Sequence, residues 1–187
     1  MRLVREARPT WPRRKSDSHS SEVLTMSMIY RIFAIPDDVA GRTLADPERI
    51  HELVYRWDKS PHILSLEKSW HGLHFLMTGD VWAGDPPLNF LTLGGEEVGD
   101  IDVGYGPARI FRAPAVAVIN KSLEDFPDSN VEARLDPAAF DAAQIYPPIW
   151  TEPRADLVNE YTGFLQALKT HIKNAADSHQ ALLLVVQ

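Results

Sequence analysis

The chain has 187 residues, 44% of them hydrophobic and 24% charged, which suffices for one ordinary domain with a proper core and excludes wholesale disorder. Its formal charge of −7 argues against a general affinity for nucleic acid or an anionic membrane. The lack of cysteine excludes a disulfide scaffold, a thiolate zinc site and a cysteine nucleophile, and no apolar run approaches the length that spans a bilayer.

Residues 1–25 carry six bases (Arg2, Arg5, Arg8, Arg13, Arg14, Lys15) against three acids (Glu6, Asp17, Glu22), so a net of +3 precedes a remainder of −10. With Pro9, Pro12 and the serines between Ser16 and Ser21, this stretch predicts a disordered basic tail, or sequence upstream of a true start at Met26 or Met28. The polar run Ser16 to Thr25 is unlike the apolar centre of a secretory signal. Residues 26–187 are expected to form the single domain.

Met28 to Ile35, bounded by Pro36, predicts a largely buried strand with Arg31 as its one charge. Asp46 and Pro47 open a predicted amphipathic helix whose stripe is Ile50, Leu53, Val54 and Trp57, ended by Pro61. Leu73 to Thr78 predicts a second buried strand closed by Gly79. Gly79 to Ala108 holds seven of the ten glycines and six acids without a base, so it predicts irregular structure, a mobile loop or a lid, with one short helix at Pro87 to Leu93. A short strand is expected at Ala108 to Phe111. After Pro114, the spacing of Val116, Ile119 and Leu123 favours a helix, with a strand left open.

Asp136 and Pro137 cap a short helix containing Phe140, which stops at Ile145-Tyr146-Pro147-Pro148. A long helix is predicted over Pro153 to Asp177, with Leu157, Tyr161, Leu165, Leu168 and Ile172 on one face. Ala181 to Val186 predicts a central strand covered on both faces. The expected fold class is α/β in the mixed α+β sense: a small mixed sheet, the long C-terminal helix packed on it, and a C-terminal strand.

Chemistry concentrates in Leu66 to Phe75. Glu67, His71 and His74 would share one face of a helix and suit zinc or iron, but on the predicted strand His71 and His74 point to opposite faces, so no metal is expected. His74 reads either as a buried, hydrogen-bonded histidine or as an acid/base. Arg31 reads as an anion anchor or as an edge charge in water, and Asp80 as an acid/base or cation ligand at a strand end, or as a turn former. Asp100 and Asp102 could hold Mg²⁺ with phosphate, or belong to a solvated acidic loop. The chain has no GxGxxG, GxxxxGK[ST], HExxH, GxSxG or EF-hand pattern.

Met26-x-Met28, the block Leu66 to Gly79 (LEKSWHGLHFLMTG), the segment ending in Ile145-Tyr146-Pro147 and the last apolar strand together resemble the YfbM-like bacterial proteins, a domain-of-unknown-function family (DUF1877). The resemblance covers Met26 to Gln187. It implies a single mixed α/β domain in the bacterial cytoplasm and carries no activity. It also marks Lys68, Trp70, His74, Thr78, Gly79, Tyr146 and Pro147 as the positions that match the shared pattern.

Two functions remain open. One is a cofactor-free binding module that presents the acidic Gly79 to Ala108 segment, including Asp100 and Asp102, to a protein partner. The other is a small hydrolase or nucleotide- or phosphate-handling enzyme in which Arg31 anchors an anion beside His74 and Asp80. That second reading requires the three side chains to share one pocket. Association through the long C-terminal helix fits either, and the oligomeric state stays open.

Overall fold

The computed structural model describes residues 27–56 and 62–187. The tail predicted over residues 1–25, and Trp57 and Pro61 of the predicted helix, lie outside the described residues.

Among the described residues five strands form one sheet in the order β2-β1-β5-β4-β3. They are β1 (Tyr30–Pro36), β2 (Ile63–Glu67), β3 (Glu96–Asp102), β4 (Pro107–Phe111) and β5 (Gln180–Val186). The expected mixed α+β domain forms, and within it every strand pairing is antiparallel rather than mixed in direction. β5 lies between β1 and β4, which explains its unbroken apolar run. Leu182 and Leu184 enter one core cluster, whereas Ala181, Leu183 and Val185 enter the other. β1 alternates in the same way, with Tyr30, Ile32 and Ala34 on the first face and Phe33 and Ile35 on the second.

The first face is covered by α3 (Trp70–Thr78), α4 (Ala113–Glu124), α5 (Ser129–Arg134), α6 (Pro137–Ala142) and α7 (Arg154–Asp177). The second is covered by α1 (Asp37–Ala45), a 3₁₀ turn at Pro47–Arg49 and α2 (Ile50–Arg56). α4, α6 and α7 stand where the sequence puts them, and the Asp136 carboxylate caps α6 by accepting the Ala138 N–H at 3.1 Å.

Several expectations are corrected. Leu73 to Thr78 is not a strand but the body of α3, whose buried Trp70, Leu73, Leu76 and Met77 recur at helical spacing. Gly72 sits inside this helix because the Tyr161 ring of α7 packs onto its backbone, and a Cβ there would fall 2.4 Å from the Tyr161 hydroxyl oxygen. Gly79 closes the helix in the left-handed conformation, φ 74°, with its N–H bonded to the Phe75 carbonyl.

The Gly79 to Ala108 segment is not an unstructured lid. Phe90 and Leu91 are buried in the first core cluster, Val98 and Val103 in the second, and residues 96–102 pair as the edge strand β3. Charges at Glu96, Glu97, Asp100 and Asp102 hide this strand in the sequence and suit an exposed sheet edge. Pro87 to Leu93 forms successive turns instead of a helix. The helix predicted from Pro47 begins as a 3₁₀ turn, and α1, α5 and β2 have no counterpart in the sequence reading.

Candidate functional site

Helix α3 begins against β1, where Trp70, only 2% exposed, stacks on Tyr30 with ring centroids 5.5 Å apart. The His71 ring stacks against Trp70 at 5.2 Å and against Trp82 at 4.3 Å. Both His71 nitrogens are committed. Nδ1 accepts the Tyr146 N–H at 3.1 Å, and Nε2–H donates to the Val81 carbonyl at 2.8 Å, which fixes the neutral tautomer. Burial pulls the His71 pKa below the usual imidazole value, outweighing the Val81 bond.

His74 lies one turn further along α3 and is 0% exposed. Its ring meets the Thr92 hydroxyl, 3.2 Å from Nδ1, and the Thr78 hydroxyl, 3.5 Å from Nε2. Burial first, then the neighbouring His71, lowers its pKa to about 4. A sealed, neutral imidazole has no route for exchanging a proton with substrate. The Thr78 hydroxyl donates to the His74 carbonyl at 2.8 Å and accepts the Asp80 N–H at 3.1 Å.

Asp80 forms a turn. Its Oδ1 accepts the N–H groups of Ala83 at 2.7 Å and Trp82 at 2.9 Å, and these bonds hold the carboxyl below its ordinary pKa. The turn sets Trp82 over His71. Arg31 points to the other side of the sheet, since its neighbours Tyr30 and Ile32 face the cluster containing α3. There its Nη1 donates to the Gln187 side-chain oxygen at 2.6 Å. The convergence of Arg31, His74 and Asp80 required by the enzyme reading therefore does not occur.

The remaining predicted positions also resolve into scaffold or surface. Glu67 precedes α3 and its Oε1 accepts the Ser65 hydroxyl, so it does not join the two histidines. Among the described residues no cluster of three His, Asp or Glu could hold a metal ion. Lys68 and Asp100 are exposed. The Asp102 Oδ1 accepts the Gly104 and Gly106 N–H groups at 2.8 and 3.0 Å, shaping the turn that carries Tyr105. Gly104 allows that turn to press on β5, since a Cβ there would sit 2.6 Å from the Val186 carbonyl oxygen. Tyr146 ties His71 to the start of the domain, its hydroxyl accepting the Met28 N–H at 3.2 Å. Pro147, which follows it, is buried.

Beside the Trp70 stack lies a cavity of about 70 Å³. Tyr30 and Trp70 form its buried floor, while Trp82 (36% exposed) and the half-buried Tyr105 stand at the rim. Leu184 and Val186 of β5 line it from the sheet, and the 79–108 segment also contributes Leu91, Thr92 and Pro107. Arg109 of β4 completes the wall. Its Nη2 donates to the Leu91 carbonyl at 2.8 Å and the Tyr30 hydroxyl at 3.1 Å, and its Nη1 donates to the Gly94 carbonyl at 2.9 Å. The Tyr30 hydroxyl donates in turn to the Leu91 carbonyl at 2.7 Å, and burial pushes its pKa up to about 12 despite Arg109.

Two donors here lack the partner their chemistry calls for. Among the described residues the buried Trp70 Nε1–H has no hydrogen-bond acceptor, and no carboxylate forms an ion pair with Arg109. Sequence reasoning missed Tyr30 and Arg109 as site residues. The available signal for Arg109 was a lone charge inside the short strand Pro107 to Phe111.

Residues 26–185 match the family model described as Domain of unknown function (DUF1877). The chain belongs to the DUF1877 family. This DUF1877 domain also resembles the crystal structure of YfbM from Escherichia coli, a protein whose function is unknown. The TM-score is 0.67 at 20% identity, covering 86% of this chain and 100% of that one, a likeness of fold. Comparison with curated proteins returns no match. Among the described residues no helix is long and apolar enough to cross a membrane.

Proposed function

We propose that this domain is a cofactor-free cytoplasmic binding module whose receiving site is the aromatic cavity at the 79–108 segment. The observation that carries the reading is the composition of that cavity. Five of its ten lining residues (Trp82, Leu91, Thr92, Tyr105 and Pro107) come from the segment that the sequence singled out as unusual. Four of the ten are aromatic, the residue class that supplies large and rigid contact area to ligands. Against acid/base catalysis, the His71 nitrogens and the Asp80 Oδ1 already serve backbone groups.

Thermal-shift and tryptophan-fluorescence screening of a fragment set spanning acids, neutral rings and cations tests the proposal. Saturable binding that is lost in a Trp82→Ala/Tyr105→Ala variant of unchanged fold is expected, with the bound fragments recovered chemically intact. Turnover of a fragment, or binding indifferent to the double substitution, contradicts it.

A further inference from the structure

The cavity's chemistry narrows the ligand class, and the inference rests on the binding-module reading above. Aromatic boxes commonly receive organic cations through the negative faces of their rings. This one carries Arg109 in its wall and, among the described residues that line it, no carboxylate to balance a second positive charge. The polar groups of the wall are weighted toward donors. Arg109 has five N–H donors, of which three go to Leu91, Gly94 and Tyr30, leaving two. The Trp70 indole ring lines the cavity, but its N–H is too deeply buried to reach it. Thr92 adds a hydroxyl that already reaches the His74 ring and the Asn89 carbonyl.

A guanidinium with two unused N–H groups and no carboxylate in the lining calls for an anionic acceptor, and charge-assisted bonds of this kind are the strong ones. Size sets the other limit. A cavity of about 70 Å³ admits a small group and not a nucleotide, while the partly exposed rings of Trp82 and Tyr105 offer stacking surface at the mouth. The acids of the rim turns, Asp80 and Asp102, accept backbone N–H groups that offset their charge, and exposed charges more than about 8 Å away are largely screened at physiological salt.

We propose that the cavity binds a small planar aromatic acid. The carboxylate lies beside Arg109, and the ring lies against Trp82 and Tyr105. The test is calorimetric titration of the full chain with benzoate, benzyl alcohol and benzyltrimethylammonium, which present the same ring with negative, neutral and positive substituents. Benzoate is expected to bind about 10-fold or more tighter than the alcohol, with the ammonium weakest. Arg109→Gln is expected to reduce benzoate to the level of the alcohol while leaving the alcohol unchanged. Should Arg109→Gln fail to fold, since Arg109 also holds Leu91 and Gly94, raising the salt from about 0.01 M to about 1 M screens the guanidinium of the unaltered chain. The higher salt is expected to weaken benzoate about 3-fold or more and spare the alcohol. Equal binding of benzoate and alcohol, or tighter binding of the ammonium, overturns the acid assignment and leaves the binding-module reading intact. No binding of any of the three overturns both.

Discussion

On α3 and the turn after it, the residues with the most reactive side chains are the most completely occupied. His71, His74 and Asp80 hold Tyr146, Val81, Thr78, Thr92, Trp82 and Ala83 in place. Across the Trp70 ring, the cavity wall consists of side chains that sequence motifs ignore, and there the Arg109 guanidinium keeps two unused N–H groups with no carboxylate in the lining. The comparison teaches that residue type alone does not locate a site. Saturation decides: a histidine with two partners is scaffold, and a guanidinium with N–H groups to spare at a cavity wall is free to take a ligand.

Acid should attack the saturated side first. The His74 pKa is lowered to about 4 from 6.5, so the unfolded chain binds the proton more readily. Stability contributed by the neutral ring is complete above pH 6.5 and is lost as pH falls toward 4, on the order of 3 kcal/mol. His171 of α7, also at about 4 through burial, adds in the same direction. Asp37, whose carboxylate accepts Arg112 and the first N–H of α4, is held at about 2 and contributes only in the lower window, below 3.8. Urea unfolding at pH 7 and 4.5 checks this, and a His74→Gln variant should flatten the upper slope.

Removing a saturated partner comes next. His71→Leu leaves the Tyr146 N–H and the Val81 carbonyl without their acceptor and donor, and should cost about 3 kcal/mol, read as a fall in the urea midpoint. Gly72→Ala gains about 1 kcal/mol of helix propensity but drives a methyl into the Tyr161 ring, for a net loss of about 1–2 kcal/mol in thermal unfolding. The smallest effect separates two tryptophans. Trp150 Nε1 donates to the Ile145 carbonyl at 2.6 Å, so Trp150→Phe should cost about 1 kcal/mol beyond the loss of ring volume. Trp70→Phe should lack that increment. Equal costs would mean that the Trp70 N–H is satisfied and the contrast false.

The fold was partly legible in the sequence. β1, β5, α4, α6 and α7 follow from apolar period and proline punctuation, because each buries a simple stripe or two full faces. α3 was misread because Leu73 to Met77 is apolar nearly all round, and a short apolar run does not distinguish a buried helix from a strand. β3 was invisible because an edge strand keeps its charges. The sequence marked Trp70 only through the family resemblance. The cavity itself was not legible, since Tyr30 of β1, Trp70 of α3, Trp82 and Tyr105 of the turns and Arg109 of β4 are brought together only by the fold.

The most direct measurement of the contrast is the set of tryptophan indole ¹H–¹⁵N resonances during titration with benzoate. The account predicts that Trp70 and Trp82 shift saturably while Trp150, closed by its own hydrogen bond, stays fixed. Shifts that spread equally to Trp150, or that leave Trp70 and Trp82 unmoved while benzoate binds elsewhere, would contradict it.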